Sequence, residues 1–375
     1  MTDSQVKLFL SVDIAGSTQL KNTNNYFQIQ RFCENYKHIA SLIDGCPDLE
    51  LKGIYEQICK EESYQDWSQI ISRCFDDFNT QFTENLDGSE ICPWKMAGDE
   101  LMYCVDVKTR KDVHDKVLAF FKTLRFFDKR YMQKGSQIRL KGSAWTAGFP
   151  IRNRILKPVS ITNELDICKD CRVNLDDYMG PEIDIGFRLG KFTFPGIIVV
   201  SLELACILLD RKIAMSSDKS YFRVIDTGWE VLKGVWHGRK YPILCLALPK
   251  GMEETAGLPF CYTPYQKWDI EENSHVKKYA EILENDSGQE TFDSITELIE
   301  TLPRQLGVVR PYFVDEKDEI PPEHKKRLDF IKLIEKVNNE NNRQDIEFAL
   351  NSGELNSQEV INQIINDVTK QQRLN

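Results

Sequence analysis

The chain contains no run of about 18 consecutive apolar residues, so no membrane-spanning helix is expected. Its opening residues, Met1-Thr2-Asp3-Ser4-Gln5, hold neither a basic cluster nor an apolar stretch, and no export signal is predicted. Positive charge is in deficit: 48 Lys and Arg against 58 Asp and Glu leave a formal charge of −10. Binding to a long polynucleotide, which depends on neutralising many phosphates, is therefore not expected. A small anionic nucleotide remains compatible, because a few local cations or metal ions override the global field. No Gly-x-x-x-x-Gly-Lys-Ser/Thr segment occurs, which excludes a P-loop enzyme. There is no fixed-period repeat.

Histidine is scarce, at five residues, and cysteine, at eleven, is odd in number and scattered. Cys168-Lys169-Asp170-Cys171 has the spacing of half a zinc site, but no second pair or nearby histidine completes it, and zinc is not expected. Scattered thiols suit a reducing cytoplasm.

With 41% hydrophobic and 28% charged residues over 375 positions, the composition is that of a soluble globular protein. The length suggests two folding units. Composition shifts near Pro249, so we expect one unit over 1–249 and a helical extension over 250–375. Beyond that point prolines punctuate acidic, helix-prone stretches with two apolar stripes: Phe292, Ile295, Ile299, Leu302, and Leu328, Ile331, Ile334, Val337. These fit either an appendage packed on the main unit or a partner-binding element.

Within the first unit, Lys7 to Ile14 reads as a short buried strand ending at Asp13. Helical spacing runs through Phe27, Arg31, Phe32 and Tyr36, then through Trp67, Ile70, Ile71, Cys74, Phe78 and Phe82. Ile91 to Val105 reads as a β-hairpin turning at Gly98-Asp99. Val117, Phe120, Phe121, Leu124 and Phe127 mark another helix. Strands are predicted over 137–149, 197–201 and 240–248. The order predicts an α+β fold, a ferredoxin-like β-α-β-β-α-β sheet with helices on one face, plus additions.

Three segments carry the candidate chemistry. Val12-Asp13-Ile14-Ala15-Gly16-Ser17-Thr18 puts an aspartate at a strand end before small residues. Taken alone, this could be a helix cap. Lys95-Met96-Ala97-Gly98-Asp99 puts a second aspartate in a hairpin turn, where Gly-Asp is common. If the hairpin pairs with the first strand, both carboxylates reach one sheet edge, the layout needed to bridge two divalent cations; the Ile14 carbonyl could add a hard oxygen ligand. In the third segment, Asp177 to Arg188, Asp184 and Arg188 lie one helical turn apart. A solvated i,i+4 ion pair fits poorly in so apolar and glycine-rich a stretch, whereas a guanidinium aimed at a phosphorane would stabilise its charge.

Together these segments resemble the class III nucleotidyl cyclases. The first metal motif of that family is matched by Val12 to Thr18 and the second by Lys95 to Asp99. The transition-state helix is matched at Asp177, Gly180 and Arg188, and the triphosphate-contacting Leu-Lys-Gly by Leu232-Lys233-Gly234. The order is that of the family over about residues 6–248. One position departs: Asp184 stands where most cyclases have asparagine, and a carboxylate accepts but does not donate a hydrogen bond to the ribose unless protonated. The spelling Gly-Pro-Glu-Ile-Asp-Ile-Gly-Phe-Arg, with Trp-Lys-x-x-Gly-Asp-Glu, resembles the bacterial pyrimidine cyclases of anti-phage (Pycsar) signalling.

The resemblance implies a homodimer with each site built across the interface. Asp13, Ile14 and Asp99 of one chain would hold two Mg²⁺ or Mn²⁺ ions beside Gly16, Ser17 and Thr18. Lys95 and Asp177 would read the base, Asp184 the ribose and Arg188 the phosphorane, all from the other chain; Lys233 would neutralise the β- and γ-phosphates. UTP or CTP would become its 3′,5′-cyclic mononucleotide, read by a separate effector protein. Position alone also allows ATP, and a silent nucleotide sensor is the alternative of a different class. A diguanylate cyclase is disfavoured, because Gly16-Ser17-Thr18 occupies the place of that family's second aspartate.

Overall fold

Strict alternation over Gln5–Ala15 makes the central strand β1. It buries Leu8, Leu10, Val12 and Ile14 on one face and Phe9 on the other. The computed structural model describes residues 5–18, 21, 67–86, 88–89, 91–133, 138–156, 176–210, 222–248, 273–285, 297, 301 and 310–338. The expected helix through Phe27 to Tyr36, the Phe292 to Leu302 stripe, Cys168 and Cys171 lie outside these residues, as do the side chains of Ile334 and Val337.

After β1 come helix α1 (Trp67–Glu84), strands β2 (Pro93–Ala97) and β3 (Glu100–Val107), helix α2 (Arg110–Gln133) and strand β4 (Arg139–Phe149). The four strands lie in the order β2-β3-β1-β4, every neighbour antiparallel. That is the expected split β-α-β-β-α-β unit, and the fold is α+β. Strands β7 (Ile198–Val200), β9 (Lys240–Ala247) and β8 (Arg223–Val231) extend the sheet beyond β4, with β7 parallel to β4. Strand β8 was not singled out in the sequence.

The two long helices cover one face. The α1 residues Cys74, Phe78 and Phe82 meet the α2 residues Val117, Phe120, Phe121 and Leu124 over the even-numbered side chains of β1. A Thr109 side-chain oxygen caps α2 by accepting from Asp112 N at 3.0 Å. The opposite face carries an aromatic cluster of Phe9, Trp94, Trp145, Phe149 and Tyr178, with the Phe9 and Trp145 rings stacked at 5.4 Å. A two-stranded ribbon, β5 (Arg154–Leu156) and β6 (Asp177–Met179), feeds Tyr178 into it. Helix α3 (Pro181–Leu189) follows, and α4 (Leu202–Leu208) comes after β7.

Two later helices pack on this body. Helix α5 (Ser274–Asn285) sets Val276 and Tyr279 into the main core, and Tyr279 Oη donates to the Leu246 carbonyl at 3.1 Å. Helix α6 (Pro322–Asn338) buries His324 and Leu328. The segment before α6 is clamped by Arg110 of α2, whose guanidinium meets Asp210 at 2.8 Å, Asp318 at 2.6 Å and also Glu316. No described helix is long and apolar enough to cross a membrane.

Candidate active site

Pairing between β1 and β3 sets Asp13 directly opposite Glu100, the residue after Asp99. Ile14 N donates to the Asp99 carbonyl at 3.2 Å, stitching the strand end to the hairpin turn. Both turns need glycine: Gly16 has φ +75° and Gly98 φ +68°, a conformation that side chains with a Cβ disfavour. Ser17, at the start of a helical turn, donates its hydroxyl to Asp99 Oδ2. Asp13, Ile14, Gly16, Ser17, Thr18 and Asp99 thus share one edge of the sheet.

The electrostatics follow from this crowding. Burial raises the Asp13 carboxyl above its ordinary value; the nearby Asp99 charge adds to that, and Lys141 opposes it. Burial acts on Asp99 in the same sense, but the Ser17 hydroxyl, a backbone N–H and Lys21 overcome it and hold Asp99 below its ordinary value. Glu100 is raised by burial and by both aspartates, against the bond it accepts from Ser11. Two ammonium groups lie on this negative charge: Lys141 Nζ is 2.9 Å from Asp13 Oδ2, and Lys21 Nζ is 3.4 Å from Asp99 Oδ1.

A second group gathers elsewhere on the same chain. Lys95 Nζ sits 4.5 Å from the centre of the Trp94 ring and 3.2 Å from Asp177 Oδ1, so the two candidate base-reading residues are partners. Asp177 lies on strand β6 rather than on the helix; α3 begins only at Pro181, after Gly180 at φ +151°. On α3, Arg188 Nη1 donates to the Asp184 carbonyl at 2.8 Å and approaches Asp184 Oδ1 at 3.5 Å. Arg188 Nη2 also comes within 3.8 Å of where a Cβ on Gly234 would stand, so the Lys233-Gly234 turn lies beside α3. Among the described residues no hydrogen bond or ion pair joins this second group to Asp13 or Asp99.

No family model matches the chain, and no curated protein matches it in sequence. Among solved structures it is similar to the adenylyl cyclase CyaB from P. aeruginosa, at 12% identity and TM-score 0.40, over 66% of this chain and 96% of that one. It is also similar to the guanylate cyclase domain of RhGC from Catenaria anguillulae in complex with GTP, at 11% identity and TM-score 0.37, over 66% and 99% of the two chains. A third is an adenylate/guanylate cyclase/hydrolase from Silicibacter pomeroyi, at 13% identity and TM-score 0.32, over 66% and 98%.

The sequence did not single out Glu100, Lys141 or Lys21. Glu100 adjoins Asp99 and could have been found there. Lys141 faces Asp13 only through the β1–β4 register, which no local pattern reveals. Two arginines just after β4 have local partners: Arg152 pairs with Glu182 at 2.9 Å, and Arg154 donates to the Asn153 carbonyl.

The donor set fits Mg²⁺ or Mn²⁺. Asp13 and Asp99 offer hard carboxylate oxygens, and such ions use one or two carboxylates, with substrate phosphates and water completing the shell. Among the described residues there is no cluster of three or more His, Cys, Asp or Glu that could hold a metal ion.

Proposed function

We propose that this chain is a nucleotide cyclase that converts a pyrimidine nucleoside triphosphate, UTP or CTP, to its 3′,5′-cyclic mononucleotide and pyrophosphate. The observation that carries the reading is the joining of Asp13 and Asp99 on one sheet edge, with Lys141 and Lys21 laid against them. Residues 1–249 would form the catalytic unit and 250–375 its extension.

In the reaction the ribose 3′-oxygen bonds to the α-phosphorus, the α–β P–O bond breaks and pyrophosphate leaves. Two divalent cations held by Asp13 and Asp99, with the Ile14 carbonyl, would supply Lewis-acid activation of the hydroxyl and the phosphates. Ser17 fixes the Asp99 carboxylate, keeping it ionised and correctly turned. Gly16, Ser17 and Thr18 would contact the phosphates; Gly16 and Thr18 are exposed there, and Ser17 is buried against Asp99. Lys141 and Lys21 occupy the carboxylates until the substrate complex replaces them. Arg188 would stabilise charge developing on the phosphorus, and Lys233 the departing pyrophosphate. Lys95 and Asp177 would read the base and Asp184 the ribose. By the motif resemblance, a head-to-tail homodimer would complete the site, with the second group supplied by the partner chain. The pyrimidine choice and an anti-phage role with a separate effector rest on the motif resemblance, and a cytoplasmic location on the scattered thiols.

The test is direct. Purified protein with Mn²⁺ is given each of the four ribonucleoside triphosphates separately, and products are resolved by chromatography. Cyclic UMP or cyclic CMP with pyrophosphate is expected. Product from ATP alone selects the purine cyclase, and no product from any of them overturns the enzyme in favour of a sensor.

A further inference from the structure

A cavity of about 30 Å³ lies at the root of α3, between β4 and the segment that precedes α6. Its walls are mainly apolar, from Val6, Ala147, Phe149 and Pro311, but its polar groups are unevenly matched. Glu182 is satisfied: it accepts from Gly148 N at 2.7 Å and Asn153 Nδ2 at 2.7 Å, and pairs with Arg152 at 2.9 Å. His324 is bonded to Tyr312 Oη at 3.3 Å, and burial, with Arg327 and Arg152 nearby, pushes its pKa below the ordinary value. Arg310 is more than half exposed at the rim and lies 4.0 Å from Asp210.

Two lining groups are left. Glu203 is 2% exposed; its Oε2 accepts from Tyr241 Oη at 3.3 Å, while no described group donates to its Oε1. Thr146, 1% exposed, has no described partner for its hydroxyl. A buried acceptor and a buried hydroxyl left unpaired on one cavity are costly unless something fills it. Arg152, which pairs with Glu182, is near enough for its charge to act on Glu203 as well.

We infer that this cavity is a binding site for a small primary ammonium ion, ammonium itself or a short alkylammonium, held by Glu203 Oε1 and Thr146 Oγ1. The chemistry favours this class over a metal ion. A primary ammonium carries three directed N–H donors, which suit two acceptors set among carbon walls, and the apolar lining accepts a methyl group. Potassium or sodium prefers a shell of several oxygen ligands, whereas the unpartnered groups here are one carboxylate oxygen and one hydroxyl. The space admits about two non-hydrogen atoms, the size of methylammonium. The site is separate from the candidate active site and independent of its chemistry. It does touch the helix that carries Asp184 and Arg188, through Glu182.

The experiment is thermal unfolding of the full chain at mildly alkaline pH and constant ionic strength, with choline chloride replaced stepwise by ammonium, methylammonium or potassium chloride. Ammonium and methylammonium are expected to raise Tm saturably, by about 3 °C or more, through binding to the folded state alone. Potassium should act no differently from choline, and Glu203→Gln should abolish the response. No saturable rise, an equal rise with potassium, or a rise that survives Glu203→Gln overturns the proposal. Should Glu203→Gln fail to fold, isotope-labelled ammonium gives a second readout. A slowly exchanging bound resonance is expected with the native chain and lost in Thr146→Val; its absence from the native chain overturns the assignment equally.

Discussion

At the scale of single residues the molecule concentrates acidic side chains where ordinary folding would avoid them. Asp13 and Glu100 are both pushed above their ordinary values by burial and by neighbouring carboxylates, and Lys141 only partly offsets this. Such crowding costs stability and is kept where the charge is used. Asp13→Ala and Asp99→Ala are each expected to lower cyclic nucleotide formation by ~100-fold or more, as for loss of one charge-stabilising group. Turnover in Mn²⁺ measures this, and near-native rates in either variant would remove the carboxylates from the mechanism. A second residue-scale effect concerns Glu203, whose carboxyl burial and the Glu182 charge push up to about 7 from 4.5. The folded chain then holds a proton that the unfolded chain releases between those values. This group's contribution to stability is complete below pH 4.5 and is lost as pH rises to about 7. Glu203→Gln should flatten that part of the stability–pH curve, by a total on the order of 3 kcal/mol. Urea unfolding across the range, in choline buffers, reads the slope, and an unchanged slope contradicts the assignment. Asp13 and Asp99 were legible in the sequence because a strand end and a tight turn both mark themselves locally. Lys141 was not, since its place beside Asp13 exists only once β4 has paired with β1.

At the scale of elements, what was legible follows the same division between local and long-range information. Helices α1 and α2 announce themselves by 3.6-residue spacing of phenylalanines, and β1 to β4 by alternation and a Gly-Asp turn. The described structure bears these out within a few residues at each end. The extent of helix α3 was not legible: Asp177 to Met179 form a strand, and Pro181 fixes the true start of α3. Its seat is fixed by Gly186, where an added Cβ would stand 2.1 Å from Trp145 Cδ2 and 2.2 Å from Cε2. Trp145 is itself stacked on Phe9 and cannot withdraw cheaply. Gly186→Ala is therefore expected to destabilise the fold by ~2–3 kcal/mol, or to displace α3 from the sheet. Gly190→Ala, at a helical φ of −52° with open space around it, should be neutral or slightly stabilising. Thermal unfolding of the pair separates a packing constraint from a mere preference for glycine. Equal Tm values would show that the close approach of α3 to Trp145 does not matter.

At the scale of the whole molecule, no hydrogen bond or ion pair among the described residues joins the two groups of candidate residues. Asp13 and Asp99 are paired with Lys141 and Lys21, while in the second group Lys95 and Arg188 are paired with Asp177 and Asp184. Around the second group the chain leaves apolar side chains uncovered: Met96 and Met179 are 59% and 60% exposed, and Phe187 and Val231 also stand out. Apolar exposure beside an unfinished charged site is what a symmetric partner would cover, and a two-fold dimer repeats the arrangement at both ends of one interface. This makes a prediction that no single-chain site can satisfy. Asp99→Ala and Arg188→Ala proteins should each be nearly inactive, because every site in either homodimer lacks one essential group. Mixed in equal amounts and allowed to exchange, half of the dimers become heterodimers, each with one site intact and the other doubly defective. Activity should then recover to about a quarter of the native value, rising with protein concentration as dimers form. Product formation in the mixture, compared with each variant alone, measures it. A mixture as inactive as its components would mean that Arg188 and Asp99 act within one chain, and the composite site would have to be abandoned even if each variant had confirmed its residue's importance.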